Sequence, residues 1–186
     1  LAWRCVVMNV CVCGERRALC HSESLSGKGN CDSPATSGKH RQMNDSAGLS
    51  GIEYLQGLIR DGTLSPMGAA MGMALVAVSD GRAEVEAFPS EKFYNQQRRI
   101  HGGYLATLLD TALGCAVQTK LSRNIGYGTI ELKINYVCKL VAETGRLVCV
   151  GPVLHAGRPL FTAEAKVAGP DGKLYAHGSG TFLVYP

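Results

Sequence analysis

The sequence predicts an α+β protein in which a curled antiparallel sheet wraps around one long central helix. Three observations carry this. Leu105, Leu108, Leu109, Ala112, Leu113, Ala116 and Val117 recur at helical spacing with little polar surface between them, the mark of a helix buried on nearly every side. Apolar segments, two before that helix and four after it, read as strands. Tight turns rich in Gly and Pro join several of them, which makes neighbours antiparallel. A helix buried all round needs cover on both sides, and a sheet on one side with a second subunit on the other supplies it.

The elements follow in order. Ser50 is a candidate N-cap for a helix running to Arg60, with an apolar stripe of Ile52, Leu55, Leu58 and Ile59 and with Gly62 just past the end. Gly68–Val78 reads as a strand apolar on both faces. Asp80-Gly81 is a hairpin signal, after which Ala83, Val85 and Ala87 alternate with Glu84 and Glu86 over Arg82–Phe88. A loop of about a dozen residues then leads to the buried helix, which begins near Gly102. The remaining strands are Thr129–Cys138, Arg146–His155, Leu160–Ala168 and Lys173–Tyr185. Ile130, Leu132, Ile134 and Tyr136 are expected to face inward. These four strands are expected to form one antiparallel meander, turning at Gly157-Arg158-Pro159 and Gly169–Gly172.

Length and composition bound the function classes. With 186 residues, the chain allows one domain plus an extension. Residues 1–48, rich in Ser, Gly, Asn and Lys beyond Cys13, are expected to be a poorly ordered extension, with the domain over 49–186 and Met43 a candidate native initiator. Of the net charge of +4, residues 1–42 carry six Lys/Arg against three acids, whereas 43–186 carry thirteen against twelve. A nearly neutral body argues against nucleic-acid binding. No apolar run approaches the ~20 residues a membrane span needs. Cys5, Cys11, Cys13, Cys20 and Cys31 match no paired knuckle spacing, so no metal site is expected. Cys115, Cys138 and Cys149 read as free thiols suited to a reducing cytoplasm.

The chemistry concentrates at the central helix. Asp110 has Ala106, Thr107, Leu113 and Gly114 three and four residues away, so no base on its own helix can neutralise it. Such an acid either finds a hydrogen-bonding partner at the helix edge or serves a site. The helix opens on His101-Gly102-Gly103, where unpaired N–H groups and the helix dipole favour an oxygen gaining negative charge. Gly102 and Gly103 admit a ligand oxygen closely, or else merely relieve crowding. Asp110 lies eight residues beyond Gly102, hence ~12 Å away at ~1.5 Å per residue. Reacting groups must approach within ~3–3.5 Å. If both residues act, Asp110 must serve the Gly102 end of a second, antiparallel copy, giving two equivalent sites per two-fold dimer.

These residues match a known family. The element order, Asn95 six residues before His101, the His-Gly-Gly triplet and Asp110 nine residues after that His resemble the hotdog-fold acyl-CoA thioesterases of the PaaI type. Thr129-Ile130-Glu131-Leu132, Gly157-Arg158 and Asp171-Gly172-Lys173 extend the resemblance over roughly residues 50–186. It implies hydrolysis of an acyl-CoA to free acid and coenzyme A by a cytoplasmic homodimer or homotetramer, with no cofactor because coenzyme A belongs to the substrate. It further implies Asp110 as nucleophile or general base, Gly102 N–H as donor to the thioester oxygen, and His101 as support for that turn. Asn95 would position the carbonyl or the attacking water, and Thr129 would help to hold that water. Gly103, Tyr104, Arg98 and Arg158 are the substrate-binding candidates, although Tyr104 also suits a core and Arg98 a solvated surface. Many relatives carry glycine where this chain has Arg98. No G-x-S-x-G elbow, G-x-G-x-x-G turn or P-loop offers a different chemistry. The rival readings are an acyl-CoA-binding regulator or carrier and a hydratase of the same fold.

Overall fold

The computed structural model describes residues 48–186. The N-terminal cysteines, Met43 and nearly all of the expected extension lie outside the described residues.

The first helix, α1 (Gly51–Asp61), starts at a capping box, in which the Ser50 hydroxyl and the Glu53 carboxylate each accept from the other's backbone N–H. It stops at Gly62, whose φ of 62° suits a residue without Cβ. Gly51 N–H donates to Leu121 O at 3.0 Å, which seats this helix against the end of the central one.

Pro66–Ala70 forms a short helix, α2, where a strand is expected from Gly68 onward. The apolar run 68–78 has no period that separates helix from strand, and the deciding signal is Ser65-Pro66. Ser65 Oγ caps Gly68 N–H, and Pro66 occupies a first-turn position that needs no N–H. Strand β1 (Met73–Ser79) then turns at Gly81 (φ 71°) into β2 (Arg82–Ala87), as the hairpin signal predicts.

The central helix α3 spans Gly102–Thr119, followed by β3 (Gly126–Tyr136), β4 (Leu147–Ala156), β5 (Leu160–Ala168) and β6 (Leu174–Tyr185). All pairings are antiparallel, in the order β1-β2-β4-β5-β6-β3. The expected four-strand meander is therefore corrected. β4, β5 and β6 form it, while β3 lies at the far edge beside β6. Residues 137–146 between β3 and β4 hold a 3-10 turn, Ala142–Thr144, and are long enough to carry the chain across the sheet.

Small side chains on the concave face let the helix settle deeply. Ala83, Val85, Ala87, Cys149, Ala163, Val167 and Ala176 are fully buried together with Leu108, Leu109, Ala112, Leu113, Ala116 and Val117 of α3. A Cβ on Gly151 would come within 3.1 Å of Ala112 O, so glycine there lets the helix backbone approach the strand closely. Cover is uneven, however. Thr107, Asp110 and Thr111 are only half-buried along one stripe of α3.

Strand β3 carries a bulge between Thr129 and Glu131. The extra residue, Ile130, is 58% exposed and does not face inward as expected. The bulge resets the alternation. Tyr127 and Thr129 address the helix before it, and Leu132, Ile134 and Tyr136 after it. No Gly or Pro marks this shift in the sequence. Among the described residues no helix is long and apolar enough to cross a membrane.

Candidate active site

Asp110 projects from the half-covered stripe of α3 and accepts a hydrogen bond from the Thr129 hydroxyl at 2.9 Å. The bulge after Thr129 belongs to the same stretch of β3 that brings this hydroxyl to the acid. Tyr127, two residues earlier, packs its phenol where a Cβ on Gly114 would lie only 3.0 Å away. Beside the carboxylate, the Cys115 thiol is pushed up to about 12, first by burial and then by the charge of Asp110. Burial, with Cys115 and Asp110 adding to it, also pushes the Tyr127 phenol up. The acid thus has one hydroxyl donor, apolar neighbours and an open side, which suits either a base or a nucleophile.

The first turn of α3 forms the second part. His101 is the N-cap, and its Nδ1 accepts from Gly103 N–H at 2.9 Å. A Cβ on Gly103 would sit 3.0 Å from the same nitrogen and would crowd this bond. Tyr104 N–H donates to His101 O at 3.0 Å, and the Thr107 hydroxyl donates to Gly103 O at 3.0 Å. Gly102 N–H has no partner among the described residues. An unengaged amide at a helix start is the group such a place offers to an oxygen gaining negative charge. Sequence reasoning missed one neighbour here. Tyr136 reaches from β3 to donate to Gly102 O at 3.1 Å, and its ring fills the space of a residue-102 side chain.

Asn95 sits in the loop before this turn, half-buried. Its Oδ1 accepts from the N–H groups of Gln97 (2.9 Å) and Arg99 (3.3 Å), so only its NH2 is left to donate. Arg98 in the same loop is exposed and adopts φ 53°, the left-handed region that favours glycine. Ile100 N–H donates to Leu140 O at 2.9 Å and His101 N–H to Phe93 O at 2.8 Å, tying the loop to its surroundings.

Two of the expected side chains lie apart from this turn within one subunit. Tyr104 is buried, its hydroxyl donates to Met71 O at 3.1 Å, and its ring lies 4.9 Å from that of Phe93. Burial pushes its phenol up to about 12. It is a core residue rather than a wall open to a ligand. Arg158 is exposed at the β4–β5 turn. Tyr136, which touches Gly102, pairs with Ala176, while Thr129 pairs with Phe182, six residues or ~20 Å along β6. Arg158 lies beyond the Phe182 end, so one subunit does not bring it to Arg98.

A profile of the thioesterase superfamily matches residues 98–176, a span that includes the helix start, Asp110 and Thr129. A protein of Halobacterium salinarum provisionally named an esterase is 30% identical over 126 residues, which cover 62% of this chain and 82% of that one. A conserved protein from Pseudomonas aeruginosa superposes with a TM-score of 0.62 at 36% identity, over 68% of this chain and 98% of its own. The PaaI protein of the E. coli phenylacetic acid degradation operon shares the fold, with a TM-score of 0.65 at 19% identity over 74% and 96% of the two chains. The curled six-stranded sheet around one long helix is the hotdog fold, and this chain belongs to the thioesterase superfamily.

Proposed function

We propose that this protein hydrolyses an acyl-CoA thioester to the free acid and coenzyme A, and that it does so as a homodimer in a reducing cytoplasm. The observation that carries the reading is the pairing of a hydroxyl-bound acid, Asp110, with a helix start whose one unengaged amide is Gly102 N–H. Because the two lie ~12 Å apart on one helix, each site combines Asp110 of one subunit with Gly102 and Asn95 of its mate. The half-covered stripe through Thr107, Asp110 and Thr111 is the surface the second helix would cover.

In this reading the thioester oxygen rests against Gly102 N–H, which stabilises the charge it gains when the carbonyl is attacked. Asp110 either takes a proton from the attacking water or attacks directly, forming an anhydride that water then opens. In the first route the C–S bond breaks as a C–O bond to water forms, and the proton held by Asp110 passes to the sulfur. In the second, coenzyme A leaves as the thiolate and takes the proton released when water opens the anhydride. Thr129 orients the carboxylate, and the NH2 of Asn95 supplies a further donor. His101 and Gly103 hold the turn, and Arg98 and Arg158 are offered to the phosphates of coenzyme A. No cofactor is required, since a thioester is already activated.

The test is thiol release across a panel of aryl-, branched- and medium-chain acyl-CoAs, with Asp110→Asn as control. Hydrolysis of at least one substrate, with kcat falling by roughly 10²–10⁴ in the variant, is expected for loss of a general base. Binding without turnover would instead assign the protein as a carrier or regulator. Equal turnover by Asp110→Asn would remove the acid from the mechanism.

A further inference from the structure

Two consecutive glycines make the start of α3 its most permissive stretch of backbone, yet the proposed donor must point in one direction. The peptide on each side of the Gly102 α-carbon is held from outside the helix ladder or by the cap. On the N-terminal side, His101 C=O accepts from Tyr104 N–H at 3.0 Å. The C-terminal side is held at both ends, since Gly102 C=O accepts from the Tyr136 hydroxyl at 3.1 Å while Gly103 N–H donates to His101 Nδ1 at 2.9 Å. The phenol, the 102–103 peptide and the imidazole therefore form one chain of hydrogen bonds, in which each bond polarises the next. Tyr136 stands on β3, an element separate from the helix, and its Cζ and Oη lie 3.1 Å from where a Cβ on residue 102 would be. The ring is 55% exposed, so core packing does not account for its placement.

We infer that Tyr136 is a positioning residue of the site: by holding Gly102 C=O it fixes the peptide on which His101 closes, and thereby the direction of Gly102 N–H. This rests on the thioesterase reading above. The phenol touches no reacting atom; it acts through the turn. The Nδ1 that accepts from Gly103 N–H leaves Nε2 as the ring nitrogen that carries a proton.

The test is Tyr136→Phe, which deletes the hydroxyl and keeps the ring, in the full-length protein. Steady-state kinetics are read together with the Gly103 amide resonance and its hydrogen-exchange rate. Losing an indirect tie should cost less than the 10²–10³ of losing a direct donor, so kcat should fall roughly tenfold with KM within about twofold. The Gly103 amide proton should move upfield and exchange faster, a change that a purely structural ring would not produce. Unchanged kcat, or an unmoved Gly103 resonance, overturns the role assigned to Tyr136 while leaving the hydrolase reading intact. If the unaltered protein hydrolyses no acyl-CoA, the hydrolase reading fails and the positioning role of Tyr136 falls with it.

Discussion

Replacing Gly102 by proline isolates the amide on which the proposed chemistry turns. The backbone accepts the change. His101, at φ −61° and ψ 140°, already has the extended conformation required before proline, and the first helical position tolerates a missing N–H. The new Cβ meets the Tyr136 ring at 3.1 Å, which calls for a shift of a few tenths of an ångström in an exposed side chain. Gly102→Ala brings the same Cβ and keeps the N–H, so the difference between the two variants reads the loss of the donor together with the ring carbon that replaces its hydrogen. Loss of one oxyanion donor costs ~10²–10³ in kcat, or ~2.7–4 kcal/mol, and Gly102→Pro should fall that far below Gly102→Ala. The assay is thiol release by both variants on the best acyl-CoA, with helix content checked by circular dichroism. Proteins carrying Gly102→Pro on one subunit and Asp110→Asn on the other then test the shared site. Each purified heterodimer regains one intact site of two, so about half the unaltered rate per dimer should return from two nearly inactive parents. Equal rates for the proline and alanine variants, or heterodimers as inactive as their parents, would refute the reasoning.

Three further outcomes follow from the same structure. Thr129→Val removes the 2.9 Å hydrogen bond to Asp110, and at ~1.5–3 kcal/mol for a bond to a charged group, kcat should drop roughly ten- to hundredfold with little change in melting temperature. Arg98→Gly relieves a left-handed residue and should raise stability by about 1 kcal/mol in thermal melts; if the guanidinium serves coenzyme A, KM rises and loses its salt dependence. The Cys115 thiol is held at about 12 and that of Cys149 higher still, both mainly by burial, so both stay neutral in the native state where the unfolded chain ionises. Their contribution is complete below ~8.5 and is lost as pH rises above it, by about 2 kcal/mol per thiol at pH 10. Cys115→Ala/Cys149→Ala should accordingly flatten the fall of melting temperature between pH 8.5 and 10, whatever its effect on stability at pH 7.

The parts legible in the sequence were those with a strong local signature. Seven apolar residues at helical spacing fixed α3, and the absence of a base within one turn of Asp110 marked it before any contact was known. The His-Gly-Gly start stood out by its glycine pair at a helix N-terminus, whereas Thr129 entered only through the family resemblance. What escaped depends on residues distant in the chain. Ile130 and Tyr136 look equivalent in an alternating strand, and only the bulge separates them, sending one to the surface and the other towards Gly102. The placement of β3 beside β6 rather than β4 follows from a long connection that carries no tight-turn signal. For Tyr104 the sequence left ligand wall and core both open, and its burial against Phe93 places it in the core. Asn95 was recognised, but not that its carbonyl oxygen is already engaged by its own loop.

Among the described residues, the strand that seats Thr129 and Tyr136 has its only sheet neighbour in β6, which begins at Leu174, 38 residues after β3 ends at Tyr136. During synthesis at ~10 residues per second, β3 therefore emerges and waits about four seconds before its partner exists. Over that interval the greasy central helix and the ladder groups of β3 are open to chaperones and to other nascent chains. A ribosome pausing within residues 137–173 would prolong the exposure, so the yield of active protein should be more sensitive to slow codons there than to slow codons ahead of α3.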